Sequence, residues 1–302
     1  MSNVLEVHNL VKDFGSFRAV DDVSFSVPQG SIVGFLGPNG AGKTTTIQML
    51  LDLLIPTSGR IFYFGKDLKT HHEEILEKIN FSSTYVSMPW RTSVKESLIY
   101  TSYFYNIKDR RKRVEDILKA FRLTKMQNKE VAQLSEGQRT RLILAKGFIN
   151  EPQVLLLDEP TASMDPETAQ YIRTFIKDYQ QDHDLSILFT SHNMSEIEDV
   201  CDDVIFINQG KIIAHDTPSS LAKRIKISHV SLQIKDGLKR VTSMCEKSAI
   251  PFKLEGRFIV IDIEEKRIPD FLKQLLENGI EYNEISIDKP NLQDFFLSMT
   301  KQ

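Results

Sequence analysis

Cysteine is scarce. Cys201 and Cys245 are the only two in 302 residues, they lie far apart, and neither belongs to a CxxC pair. That excludes a disulfide framework and a paired-thiol motif, and it fits a reducing cytosol. Long apolar runs are missing too. The longest are stretches such as Met49–Leu51, Val154–Leu157 and Val204–Ile207, far below the roughly 20 residues that span a bilayer. The chain alone is not expected to cross a membrane. Its start, MSNVLEVHNL, carries Glu6 and lacks a basic segment followed by an apolar core, so no secretory signal is expected. Neither charge is in excess: 38 Lys+Arg stand against 41 Asp+Glu, a net charge of −3. Nothing general favours nucleic acid or anionic lipid as the main partner. The rest is ordinary, with 41% hydrophobic and 26% charged residues. That is a globular composition, in a chain long enough for about two domains at the usual 100–200 residues each.

The first 65 residues read as strands broken by turns. Val4–His8 alternates, Val20–Val27 is β-branched and aromatic, and Pro28-Gln29-Gly30 punctuates them. Ile32–Leu36 is a short apolar strand running into a glycine-rich turn, and Ile47–Leu54 then has helical character, stopped by Pro56 and Gly59. From about residue 92 to 150 the pattern is mainly helical, with stripes at Val94, Leu98, Ile99 and at Val114, Ile117, Leu118, Phe121. The basic run Arg110–Arg113 at the start of the second stripe is expected to be a solvated face. Strands return at Val154–Leu157, Leu185–Thr190 and Val204–Asn208, with a helical pattern between the first two. Alternating strands and helices predict an α/β core with a largely parallel sheet. After about residue 222 the order is strand (Val230–Ile234), helix (Asp236–Lys247), strand (Arg257–Ile263), helix (Pro269–Glu277), strand (Ile280–Ile287) and a last helix (Leu292–Met299). That predicts a small α+β sandwich of split βαβ type.

Two elements carry chemistry. Gly37-Pro38-Asn39-Gly40-Ala41-Gly42-Lys43-Thr44 matches GxxxxGK[ST], between a strand and a helix as the motif requires. Glycines let the backbone curl so that its N–H groups face phosphate oxygens, and the following helix aims its positive end at the same anion. Lys43 would reach the β- and γ-phosphates, and the Thr44 hydroxyl would ligate Mg²⁺. Thr45 is a further candidate nucleotide-binding residue. The second element, Val154-Leu155-Leu156-Leu157-Asp158-Glu159-Pro160, is an apolar strand ending in two carboxylates. It would deliver Asp158 to the carboxyl edge of the sheet to hold Mg²⁺, with Glu159 placed to deprotonate an attacking water.

Between these elements lies Leu134-Ser135-Glu136-Gly137-Gln138, which resembles the LSGGQ signature of ABC-type ATPases. The resemblance implies the P-loop NTPase fold of an ABC cassette, with an antiparallel β subdomain and a helical subdomain (about 90–150), over residues 1–222. A small α+β domain follows at 223–302. It also implies a head-to-tail homodimer in which Ser135, Gly137 and Gln138 of one copy close over ATP held by the other; as a bare pentapeptide the same serine reads as a helix cap. Ala162-Ser163-Met164-Asp165 resembles the D-loop, with Asp165 the matching residue. Thr190-Ser191-His192 resembles the switch histidine that contacts the γ-phosphate. Phe14 in Lys12-Asp13-Phe14-Gly15 matches the aromatic that stacks on adenine.

Two departures stand out. No glutamine occurs from Ile79 to Leu98, where the family places one, and Thr84 occupies that position; a Thr84→Gln change is expected to alter turnover and leave ATP affinity similar. Glu136 replaces a signature glycine and is expected to point outward, because like charge beside a phosphate is costly. The ending Pro290-Asn291-Leu292-Gln293-Asp294-Phe295-Phe296-Leu297-Ser298-Met299-Thr300 resembles that of ATPases from bacterial ABC exporters. The resemblance therefore implies an ATP-hydrolysing motor on the cytoplasmic face of the bacterial inner membrane, driving a separate integral membrane permease that would dock near residues 85–130. Nucleic acid is not an expected partner. A soluble ABC ATPase acting on ribosomes or DNA is the alternative, and those relatives typically carry two cassettes or a long insertion.

Overall fold

Short, predominantly apolar runs suit strands buried on both faces, and four of them, within Ile32–Leu36, Val154–Asp158, Ser186–Thr190 and Asp203–Asn208, build the centre of the first sheet-and-helix unit. In the computed structural model, which describes residues 2–83, 89–191 and 193–300, the chain separates into two units, up to Pro218 and from Ser219 onward. The first unit is entered through strands β1 (Asn3–Phe14) and β2 (Phe17–Pro28). They pair antiparallel and continue through β4 (Ser58–Tyr63) to β5 (Lys66–Asp67), in the order β2-β1-β4-β5. The second sheet has the order β10-β9-β3-β8-β7-β6. Its members are β3 (Ile32–Leu36), β6 (Ile79–Ser83), β7 (Val154–Asp158), β8 (Ser186–Thr190), β9 (Asp203–Asn208) and β10 (Lys211–Asp216). All its pairings are parallel except the β9–β10 edge. Every residue of β3 and β8 is buried.

Helix α1 (Lys43–Leu50) follows β3, and the short α2 (His72–Leu76) precedes β6. Next come α3 (Val94–Ser102), α4 (Arg110–Ala120) and α5 (Glu136–Gly147). A capping box of Ser93 and Glu96 starts α3, satisfying two orphan N–H groups at once. Of the two apolar stripes read from the sequence, Val94, Leu98, Val114, Ile117, Leu118 and Phe121 are buried, and Ile99 is half-buried. Phe121 stacks edge-on against Phe175, 4.7 Å between centroids, and Phe148 against Tyr179 at 4.9 Å. Those contacts join the helical region to α6 (Pro166–His183). A short α7 (Met194–Val200) follows β8.

The basic run is not a uniform solvated face. Arg111 and Lys112 are exposed, but Arg113 turns inward, donating to the carbonyls of Phe148 and of Ile149 (3.1 Å) and pairing with Glu151 at 3.0 Å. Arg110 donates to the carbonyl of Tyr105 at 3.2 Å. Helical geometry divides the four cations between two faces.

Helix α8 (Pro218–Ala222) begins at the last residue of the first unit, and the second unit continues with β11 (Ile227–Asp236), α9 (Leu238–Lys247), β12 (Phe252–Glu255), β13 (Phe258–Glu264), α10 (Ile268–Glu277), β14 (Glu281–Asp288) and α11 (Leu292–Thr300). Its sheet is antiparallel in the order β12-β13-β11-β14. Within the unit, the succession β11-α9-β12-β13-α10-β14 forms the split βαβ arrangement. Alternation along β11 buries Val230, Leu232 and Ile234 against Val241 of α9 and Phe271 and Leu275 of α10. On the other face, His229 donates to Asp262 at 2.7 Å and to Asp294 at 3.1 Å, linking β11, β13 and α11.

Candidate active site at the carboxyl edge of the parallel sheet

β3 lies between β8 and β9, so the turn after Leu36 leaves the middle of the sheet's carboxyl edge, where ligand sites of open α/β sheets form. Two glycines there are required by space. A Cβ at Gly37 would stand 2.1 Å from the carbonyl oxygen of Ile207, and one at Gly42, φ +103°, would stand 2.6 Å from that of Ala19. Gly40 also has positive φ but faces open space, leaving room for a ligand over the loop. Pro38 accepts the Ala41 N–H at 3.1 Å, Asn39 and Gly40 are exposed, and Ala41 is buried. Gly42 caps α1 with no side-chain hydrogen bond, and the first helical bond runs from the Thr46 N–H to the Gly42 carbonyl at 2.9 Å. The positive end of α1 is thus open to an anion, whereas α3, α5 and α6 each begin with a side-chain cap.

The Lys43 ammonium folds back on the loop, donating to the carbonyls of Gly37 at 2.5 Å and Pro38 at 3.1 Å. Burial lowers its pKa, and the charges of Glu159 and Asp158 oppose that shift. The lysine and both carboxylates therefore share one electrostatic site. Thr44 is exposed and Thr45 half-buried.

Three parallel strands end in register here: Ser83 pairs with Asp158, and Asp158 with Thr190. Thr190 donates its hydroxyl to Asp158 Oδ1 at 2.6 Å, and Ser83 donates to Oδ2 at 3.1 Å. These two hydroxyl partners escaped the sequence reading, although a hydroxyl residue closing each neighbouring strand was the available signal. Glu159 turns into the left-handed region, φ +53°. Its N–H is held by the Thr190 carbonyl at 3.1 Å and hydroxyl at 3.2 Å.

The remaining residues form a second group. Ser135 caps α5: it accepts the Gln138 N–H at 3.4 Å, while the Gln138 side chain accepts the Ser135 N–H at 3.2 Å. A Cβ on Gly137 would stand 3.4 Å from the Ser163 carbonyl, so the start of α5 lies against the loop leading to Asp165. Asp165 caps α6 by accepting the Thr168 N–H at 2.9 Å. Hydrogen bonds from Thr168 lower its pKa, helped by the charge of Arg141. Glu136 is exposed. Phe14, the last residue of β1, is 49% exposed, with the Lys12 ammonium 5.1 Å from its ring centroid. Thr84 and His192 lie outside the described residues.

The loop fits a nucleotide triphosphate: it combines an open helix start, a curled glycine backbone and a displaceable lysine. The hydroxyl of Thr44 and the carboxylate of Asp158 are the hard oxygen donors that Mg²⁺ takes. A family model described as "ABC transporter" matches residues 20–162. The bacitracin transport ATP-binding protein BcrA of Bacillus licheniformis is 31% identical, with 99% of this chain and 98% of that protein aligned. The chain belongs to the ABC transporter family. This cassette is also similar to the linearmycin resistance ATP-binding protein LnrL of Bacillus subtilis, 27% identical over 98% of both proteins. In fold it matches a solved dimeric cassette, MJ0796 with ADP and Pi, at a TM-score of 0.64 and 23% identity, covering 70% of this chain and 98% of that one. It is the ATP-binding subunit of an ABC transporter and an ATPase.

Proposed function

We propose that this subunit powers export through a separate integral membrane permease, on the cytoplasmic face of a bacterial inner membrane. Gly37 to Thr45 cradle the phosphates, Lys43 leaves its loop carbonyls for the β- and γ-oxygens, and Phe14 stacks on adenine. Thr44 and Asp158 would hold Mg²⁺, which neutralises charge on the phosphates. Glu159 orients and deprotonates the attacking water, and His192 contacts the γ-phosphate. In the ATP-bound homodimer Ser135, Gly137, Gln138 and Asp165 of each copy face the nucleotide of the other. We assign residues 1–222 to the cassette and 223–302 to the appended domain.

The observation that carries this reading is that the loop bearing Lys43 and the strand end bearing Asp158 and Glu159 leave the same carboxyl edge of the parallel sheet, beside an uncapped helix start. The membrane subunit is inferred from relatives named for transport and resistance, together with the finding that no helix among the described residues is long and apolar enough to cross a membrane. The test is to purify the chain with membrane proteins from neighbouring reading frames and measure ATPase stimulation by candidate cargo, bacitracin and linearmycin first. Recovery of ribosomes with no membrane protein would overturn the proposal.

A further inference from the structure

Glu196 is a buried carboxylate that the chemistry above leaves unused. It lies in the first turn of α7 and is 7% exposed. Its Oε2 accepts the hydroxyls of Thr161 at 2.7 Å and Ser191 at 3.0 Å, and its Oε1 accepts from Arg173 Nη1 of α6 at 3.1 Å. Thr161 and Ser191 are each 5% exposed. The Ser191 hydroxyl also accepts the Asn193 N–H at 3.0 Å.

The placement of these partners gives the contact its meaning. Thr161 follows Glu159 by two residues and begins the segment that ends at Asp165, while Ser191 is next to Thr190. The end of β8 and the segment after β7 are therefore tied at two successive levels. Thr190 holds Asp158 and the Glu159 N–H, and Glu196 holds Thr161 and Ser191. Glu159 and Ser163 on either side of Thr161 both have positive φ, +53° and +65°. Non-glycine residues persist in that conformation only where the surroundings over-determine it. A carboxylate suits the position because three donors converge on it, one of them cationic; a glutamine has a single acceptor oxygen and would turn an N–H toward a donor. All three ties would be lost if the carboxylate were removed, and the half-buried Arg173 would be left without this partner.

We propose that Glu196 is a positioning residue for ATP hydrolysis, fixing the segment from Glu159 through Asp165 against the end of β8. The inference rests on Glu159 being the catalytic base. Displacements of about 1 Å at such sites cost up to about a hundredfold in rate.

The experiment compares Glu196→Gln, Thr161→Val and Thr161→Ser in the full-length chain. It measures equilibrium ATP affinity, kcat, KM and thermal unfolding, with Glu159→Gln as the control. Glu196→Gln and Thr161→Val are expected to lower kcat by about tenfold or more while ATP affinity stays within about twofold, and Thr161→Ser restores kcat. Thr161→Val leaves the Arg173 and Ser191 contacts in place, so it decides the matter should Glu196→Gln not fold. The inference is overturned if Thr161→Val keeps kcat within about twofold of the parent, or if it lowers only the unfolding temperature. Normal turnover by Glu159→Gln would remove the Glu159 assignment, and the inference with it. A dead Glu159→Gln beside a fully active Thr161→Val would leave that assignment standing and remove only the role of Glu196.

Discussion

Replacing Thr190 by valine deletes one hydroxyl at the centre of the candidate site with little change of shape. That hydroxyl is 1% exposed, donates to Asp158 at 2.6 Å and accepts the Glu159 N–H at 3.2 Å. Asp158 keeps Ser83 at 3.1 Å, and the Glu159 N–H keeps the Thr190 carbonyl at 3.1 Å. The loss is therefore one hydrogen bond to a charged acceptor, about 1.5–3 kcal/mol. For a unit of this size the midpoint should fall by about 4–8 °C, taking roughly 2 kcal/mol as the central value. Urea unfolding of the nucleotide-free protein measures the change, with an unaltered m-value expected because the exposed surface is conserved. Thr190→Ser keeps the hydroxyl and should cost less than Thr190→Val. A Thr190→Val loss below about 0.5 kcal/mol would refute the reasoning, since a buried hydrogen bond to a carboxylate cannot be that weak.

Gly42→Ala forces a Cβ to within 2.6 Å of the Ala19 carbonyl at φ +103°. The conformation alone costs about 1–2 kcal/mol, and equilibrium binding should show ATP affinity reduced by about tenfold or more. His229 provides a pH prediction. Burial pulls its pKa down, but hydrogen bonds to Asp262 and Asp294 and their charges outweigh it, and the net shift is upward. Its contribution to stability is therefore fully present below about pH 6.5 and is lost as pH rises through the raised value. Nuclear magnetic resonance of the ring should show the raised titration in the full-length chain, and Asp294→Asn should lower it; an unshifted titration would contradict the contact.

The central strands were legible because β3, β7, β8 and β9 are apolar runs that can only be buried, and the cradle because its glycines and lysine sit between a strand and a helix. Other elements carry weaker local signals. β12 is four residues long and largely exposed, so its pairing with β13 rather than its own composition makes it a strand. β10 follows the Gln209-Gly210 turn as the antiparallel edge of the sheet, a hairpin signal the hydrophobic pattern hides. At the site, residue type announced Lys43, Asp158 and Glu159. Ser83, Thr190 and Glu196 could not be ranked above other polar residues, because their importance comes from register and from a helix packed across the sheet end. Arg113 shows the same limit in reverse: a cation in a basic run becomes a half-buried clamp through the face it occupies.

The most direct test is hydrolysis of radiolabelled ATP by Glu159→Gln beside the parent protein, with size-exclusion chromatography of both in ATP. The account predicts that Glu159→Gln binds ATP, hydrolyses it at least about a hundredfold more slowly, and elutes as an ATP-trapped dimer. Parent-like hydrolysis by Glu159→Gln would contradict it.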